Sequence, residues 1–110
     1  MISITSTDNR LQAAIGFSER SSAFQGLLSS AEKNGWAAVT VQYGSSGHHK
    51  VAGSSYGEAG IWTIEIDLDY VTYSRNRDSS IGEKIPIEAV IVHELAHASF
   101  ETRAQLLKNF

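Results

Sequence analysis

Hydrophobic and polar residues alternate along three stretches of the chain, as they do in half-buried β-strands. The clearest is Ile61 to Asp69, where from Trp62 onward every second residue is apolar and its neighbours are polar. The same pattern occurs from Trp36 to Tyr43, and a short version of it, Ile2 to Thr5, lies near the N-terminus. We therefore predict three strands, each with one face toward a hydrophobic core.

Helical spacing appears in two other stretches. From about Ser21 to Asn34 the apolar residues recur every three or four positions, which predicts an amphipathic helix. Ser18 or Ser21 can cap its start, and Gly35 can take the left-handed conformation that ends it. Ile85 to Phe100 is the most apolar segment of the chain, and its Pro86 suits a first helical turn, where the missing N–H does no harm.

The remaining stretches show no clear period. Leu11 to Phe17 is ambiguous because Gly16 interrupts it. Ser45 to Gly60 is rich in Gly and Ser and predicts a solvated loop in which His48 and His49 are incidental; the alternative is that one of the two contributes to a functional site. A second polar loop is predicted from Ser74 to Lys84.

Length and composition indicate one globular domain. A chain of 110 residues, 42% apolar and 19% charged, can build a single core, so we expect residues 1–110 to form one domain. The formal net charge of −3 and the lack of a basic patch argue against nucleic-acid binding, and no apolar run is long enough for a membrane span. The N-terminus lacks the basic region and apolar core of a secretory signal. Without Cys, any zinc site must use His and carboxylate, which suits a catalytic site better than a structural one.

Residues 93–97 read HELAH, which fits the H-E-x-x-H pattern of zinc hydrolases. On an α-helix, His93 and His97 lie about 40° apart around the axis and one turn apart along it, so both imidazoles can bind one ion. Glu94 then lies beside that ion, where it can take a proton from a bound water whose pKa the metal lowers from about 15.7 toward about 7. We interpret His93 and His97 as metal ligands and Glu94 as the general base.

Two alternatives to a zinc hydrolase stay open. One is a structural helix with satisfied histidines, and the other is a metal site without catalysis. The apolar residues from Ile87 to Val92, continued by Leu95 and Ala98, predict a helix that is buried almost all round. Two His and one Glu in such a helix are costly to desolvate unless they are paired or metal-bound, which favours a metal.

The order strand, helix, strand, glycine-rich loop, strand, polar loop, motif helix is similar to the upper half of a zincin metallopeptidase. Ile64 to Asp67 ahead of the motif and Glu88 to Ala98 across it resemble the NleD-type effector metallopeptidases, small bacterial zinc proteases found as injected effectors and as toxin domains of larger secreted proteins. The SprT-like zincins share H-E-L-x-H-A but expect a further His downstream, and no His follows His97.

The third protein ligand is open. The metzincin continuation H-x-x-G-x-x-H is missing, since Phe100 and Arg103 stand at its Gly and last His. Glu101, one turn beyond His97, is our first candidate; it needs a kink or a helix end to reach the ion, and its alternative role is to accept the ring N–H of His97. The other candidate ligands are Asp67, Asp69, His48 and His49. Tyr70 and Tyr73 could stabilise an oxyanion through their phenol groups, or they could simply pack against neighbouring residues.

The resemblance implies a minimal zincin-like α+β domain: a small mixed or antiparallel sheet, a backing helix and an H-E-x-x-H helix. On the zincin plan, Ile61 to Asp67 is a sheet edge beside the cleft, where an extended substrate adds as a strand. The implied activity is a zinc-dependent endopeptidase, with a protein substrate and a neutralising partner. We expect it to be secreted or injected by a non-classical route and to act in the cytoplasm of a target cell. The competing hypothesis is a binding module, with or without zinc, that has no proteolytic activity.

Overall fold

The chain folds into a four-stranded mixed sheet with three helices, together with a separate two-stranded sheet, in the residues that the structure describes. The structure is a computed structural model, and it describes residues 2–44, 53–68, 73–75, 78 and 81–100. In chain order the elements are β1 (Ser3–Thr5), α1 (Asn9–Ser18), α2 (Ser22–Lys33), β2 (Ala38–Tyr43), β3 (Gly53–Glu58), β4 (Ile61–Ile66), β5 (Tyr73–Arg75), β6 (Ile81–Lys84) and α3 (Ile87–Phe100).

The four strands of the larger sheet lie in the order β1-β2-β4-β3. β1, β2 and β4 are parallel, while β3 runs antiparallel to β4. The three predicted strands are confirmed, but the prediction that Ile61 to Asp67 forms a sheet edge is wrong. β4 pairs with β2 on one side and with β3 on the other, which places it inside the sheet.

The edge next to β4 is β3, which lies within the predicted loop Ser45 to Gly60. The loop prediction is therefore wrong for residues 53–58. Their Gly and Ser residues have a low intrinsic preference for strands, so the pairing with β4 decides their conformation. A two-residue turn joins the two strands, with Ala59 at φ 53° and Gly60 at φ 81°.

The polar stretch from Ser74 to Lys84 also differs from its prediction. β5 overlaps its start and β6 forms its end, and the two strands pair antiparallel, with a register shift between Tyr73 and Arg75. With three and four residues, the two strands are too short for an alternation of apolar and polar residues to be recognised in the sequence. Their hairpin leads into the helix that carries the HELAH motif.

Capping residues set the start of α1 and both ends of α2. The ambiguous segment from Leu11 to Phe17 is helical, and Asp8 caps α1 by accepting hydrogen bonds from the backbone N–H groups of Arg10 and Leu11. The hydrogen bond from the Arg10 side chain, helped by these backbone N–H groups, holds the pKa of the Asp8 carboxyl below its ordinary value. Ser21 caps α2 and Gly35 follows it at φ 98°, both as predicted.

α3 packs with one side on the sheet and the other two helices. Ile91, Leu95 and Ala98 are buried in the core. The prediction of a helix buried almost all round is wrong, because exposed residues follow one another along one side of α3: Ala89, His93, His97 and Phe100. We call this row the exposed stripe of α3. No helix in the described part of the chain is long and apolar enough to cross a bilayer.

One face of the larger sheet carries the core. Its inward side chains are apolar, and most have no exposed surface; they include Val39, Val41, Trp62, Ile64 and Ile66. The opposite face is polar, with Thr40, Gln42, Thr63 and Glu65. The chain is thus a compact α+β domain whose helices cover one face of a small mixed sheet.

Candidate metal centre

His93 and His97 lie on the exposed stripe of α3, one helical turn apart. Their ring centroids are 5.3 Å apart, and the ring planes are inclined at 83°. The prediction that both imidazoles point to the same side is confirmed. The spacing alone produces this result, because four residues return the helix to nearly the same angle.

The cost of desolvating the histidines does not favour a metal here. Both rings are exposed, so water can hydrate them, and the expectation that they are buried is wrong. Neither ring makes a hydrogen bond to another residue in the described part of the chain. The structural alternative is therefore a pair of hydrated surface histidines rather than a pair satisfied inside the core.

Unlike His93 and His97, Glu94 is buried, with 7% of its surface exposed. Its position, about 100° around the helix from His93, turns it toward the sheet. There the Ser55 hydroxyl of β3 donates a hydrogen bond of 2.7 Å to Oε2 of Glu94. A buried carboxylate is stable only with such a partner, and Ser55 supplies it.

The three side chains form one group with the composition of a metal site. One candidate ligand atom from each of His93, Glu94 and His97 lies within 4.8 Å of the other two. Tetrahedral zinc needs its ligand atoms about 3.4 Å apart, given zinc–nitrogen distances of about 2.0–2.1 Å. Exposed imidazoles can close that difference by rotating about their side-chain torsions. The residues therefore fit a divalent cation.

Of the other predicted site residues, Asp67 and Tyr73 lie in the described part of the chain. Asp67 follows β4 and is described, but it is not part of the cluster. Tyr73 lies in β5, and the structure describes its backbone. The remaining candidates lie outside the described residues: Glu101, Asp69, His48, His49 and Tyr70.

Ser55 was missed by the sequence interpretation, because it lay in a segment predicted to be a loop. A signal for it was present. Ala59-Gly60 directly precedes the clearest strand of the chain, and a two-residue turn ending in Gly is typical of a β-hairpin. Extending that hairpin backward predicts a strand up to Glu58, with alternate residues on opposite faces.

In comparisons with known proteins, the chain matches no family model, no curated protein and no solved structure.

Proposed function

We propose that the chain is a zinc-dependent endopeptidase whose metal is held by His93 and His97 and whose general base is Glu94. The observation that carries the proposal is the grouping of two exposed imidazoles and one inward carboxylate on a single helix, with their ligand atoms within 4.8 Å. Two imidazoles leave coordination positions open for a third protein ligand and a water. We propose Glu101 as the third ligand.

In this proposal the two histidines hold the metal, and Glu94 transfers the proton. When bound, the zinc supplies a Lewis acid that polarises the scissile carbonyl and makes a water acidic enough to react near neutral pH. Glu94 takes a proton from that water during the attack on the carbonyl. It then delivers the proton to the leaving amine, so that it ends the cycle as a carboxylate.

The zincin-like plan is part of the proposal, and the position of α3 supports it. A methyl group built on Gly53 would lie 2.8 Å from Val90, and Ser55 bonds to Glu94. From Gly53 to Ser55 the strand advances by about 6–7 Å, and from Val90 to Glu94 the helix advances by about 6 Å. Because the two contacts follow in the same order along both elements, α3 runs alongside β3 in the same direction. An extended peptide that pairs with the outer edge of β3 would follow the helix past the exposed stripe.

The biological setting of the proposal rests on the resemblance to the NleD-type effector metallopeptidases. We propose that the chain acts as an effector or toxin domain on a protein in the cytoplasm of a target cell. It would reach that cell by secretion or injection, and a neutralising partner would protect the producer.

The function is tested by zinc content and cleavage of a mixed protein substrate. We expect wild-type protein to bind one zinc per chain and to lose cleavage when a chelator is added. Glu94→Gln should keep the zinc and lower kcat/KM by about 100-fold or more, because a general base contributes on that scale. His97→Ala should lose both zinc and cleavage.

Two results would reject the assignment. Cleavage retained by Glu94→Gln would show that another group is the base. Zinc content unchanged in His97→Ala would remove His97 from the ligands. Circular dichroism on both variants separates these results from unfolding.

One observation favours a binding module as the second candidate. The Glu94 carboxylate is buried and bonded to Ser55, so it also joins α3 to the edge strand and has a structural role without any catalysis. A chain that binds zinc but cleaves no protein in the mixture would support this candidate. Equal toxicity of wild-type and Glu94→Gln protein in expressing cells would point the same way.

A further inference from the structure

The contact between Ser55 and Glu94 is a short hydrogen bond from a hydroxyl to a carboxyl oxygen. The Ser55 Oγ lies 2.7 Å from Oε2 of Glu94 and 3.5 Å from the backbone oxygen of the same residue. A hydroxyl has one proton to donate, and the shorter distance assigns it to the carboxylate. A distance of about 2.7 Å is close to the commonest one for a hydrogen bond between an O–H donor and an oxygen acceptor.

The inner face of β3 carries a side chain only at the level of Glu94. Strand alternation turns Gly53, Ser55 and Gly57 toward α3 and the core. A methyl group at Gly53 would collide with Val90, and one at Gly57 would overlap the indole ring of Trp36. The strand therefore packs too closely for side chains at both glycines, while Ser55 keeps a hydroxyl that reaches Glu94.

We propose that Ser55 is a positioning residue that orients the Glu94 carboxylate for proton transfer. A glutamate side chain has three rotatable bonds, and fixing them in advance removes an entropic cost from the reaction. The hydroxyl uses one of about four acceptor positions on the carboxylate. The others stay available, and one carboxyl oxygen lies within 4.8 Å of a ring nitrogen of each imidazole, where the two rings would hold a metal ion and its water. This inference rests on the proposed function.

Ser55→Ala and Ser54→Ala form a matched pair that tests the proposal. Ser54 precedes Ser55 on the same strand, and its side chain points to the opposite face of the sheet. We expect Ser55→Ala to lower kcat on the order of 10-fold, with KM and zinc content unchanged. Ser54→Ala should match wild type, and Ser55→Thr, which keeps the hydroxyl, should restore most of the lost kcat.

A purely structural role for Ser55 predicts a different result. It would lower stability without a selective fall in kcat, and any fall in kcat would be equally large when Glu94 is already replaced. We therefore expect Ser55→Ala to cause no further loss of kcat in the Glu94→Gln background. Wild-type kcat in Ser55→Ala, or an equal loss in both backgrounds, would overturn the proposal.

A double-mutant cycle on the unfolding of metal-free protein tests the contact without using activity. Ser55→Ala, Glu94→Ala and the double variant should be non-additive, with the double variant losing less stability than the sum of the single losses. Additive losses would overturn the proposed contact. If wild-type protein does not cleave, the proposed function fails while this cycle still reports on Ser55; if it cleaves and Ser55→Ala cleaves equally fast, the positioning role alone fails.

Discussion

At the scale of single residues, close approach of the backbone decides which side chains β3 can carry. The indole of Trp36 packs on the backbone of Gly57 and meets Trp62 edge-on, with ring centroids 5.1 Å apart. Trp62 is 1% exposed, and its indole N–H has no hydrogen-bond partner among the described residues. The two rings thus pack against each other, and they hold the end of the edge strand against the core.

We expect Gly57→Ala to lower the free energy of unfolding by about 1–3 kcal/mol, because the added methyl group overlaps the Trp36 ring and the core has to shift. Gly26→Ala is the matched control. Gly26 is exposed within α2, and a methyl group there meets no atom within 4 Å. That change should raise stability by about 0.5–1 kcal/mol through helix propensity. Urea denaturation measures both; a neutral Gly57→Ala would contradict the packing described.

At the scale of elements, the hairpin of β3 and β4 forms although one residue of its turn, Ala59, has an unfavourable backbone conformation. Ala59 and Gly60 both have positive φ, as a type I′ turn requires. Glycine adopts this conformation freely, whereas alanine does so at a cost of roughly 1–2 kcal/mol. The pairing of six residues on each strand outweighs that cost.

Ala59→Asn is therefore expected to stabilise the protein by about 0.5–1 kcal/mol. Asparagine tolerates the left-handed conformation better than alanine, and the exposed position leaves packing unchanged. Gly60→Ala should do the opposite, since it places a second β-carbon at positive φ in a buried position. Thermal unfolding of the two variants tests the sign of each effect, and a loss of stability in Ala59→Asn would contradict the turn assignment.

At the scale of the whole molecule, the two histidines of the candidate metal centre contribute little to the fold. His93 and His97 lie on the exposed stripe, while the buried side of α3 meets the sheet and the other helices. Asn34, at the end of α2, also donates hydrogen bonds to the backbone oxygens of Ala98 and Ser99 near the end of α3. The helix is thus held in place by contacts that need no ion.

We accordingly expect metal-free protein to be folded, with a cooperative thermal transition. Zinc at about 100 times its Kd should raise the free energy of unfolding by about 2.7 kcal/mol, because it binds the native state only. The rise in Tm should be absent in His97→Ala. A metal-free chain without ordered structure would instead indicate a structural zinc site, of the kind whose fold depends on the ion.

The amino-acid sequence by itself determined the features that depend on neighbours along the chain. Helical spacing placed His93 and His97 on one side of α3, and the caps at Ser21 and Gly35 bounded α2. Alternation identified β4 and its buried face. These follow from bond geometry and local hydrogen bonds, which act over four or five residues.

Only the tertiary structure decided which side of α3 faces water and which strand lies at the sheet edge. The motif helix is so uniformly apolar from Ala89 to Val92 that this stretch marks no buried side, and packing left both histidines exposed while burying Glu94. The Gly- and Ser-rich β3 became a strand by pairing with β4, which brought Ser55 to Glu94 across 39 positions of sequence. Strand pairing and helix packing join distant parts of the chain, so a local sequence pattern does not determine which strands pair or which side of a helix is buried.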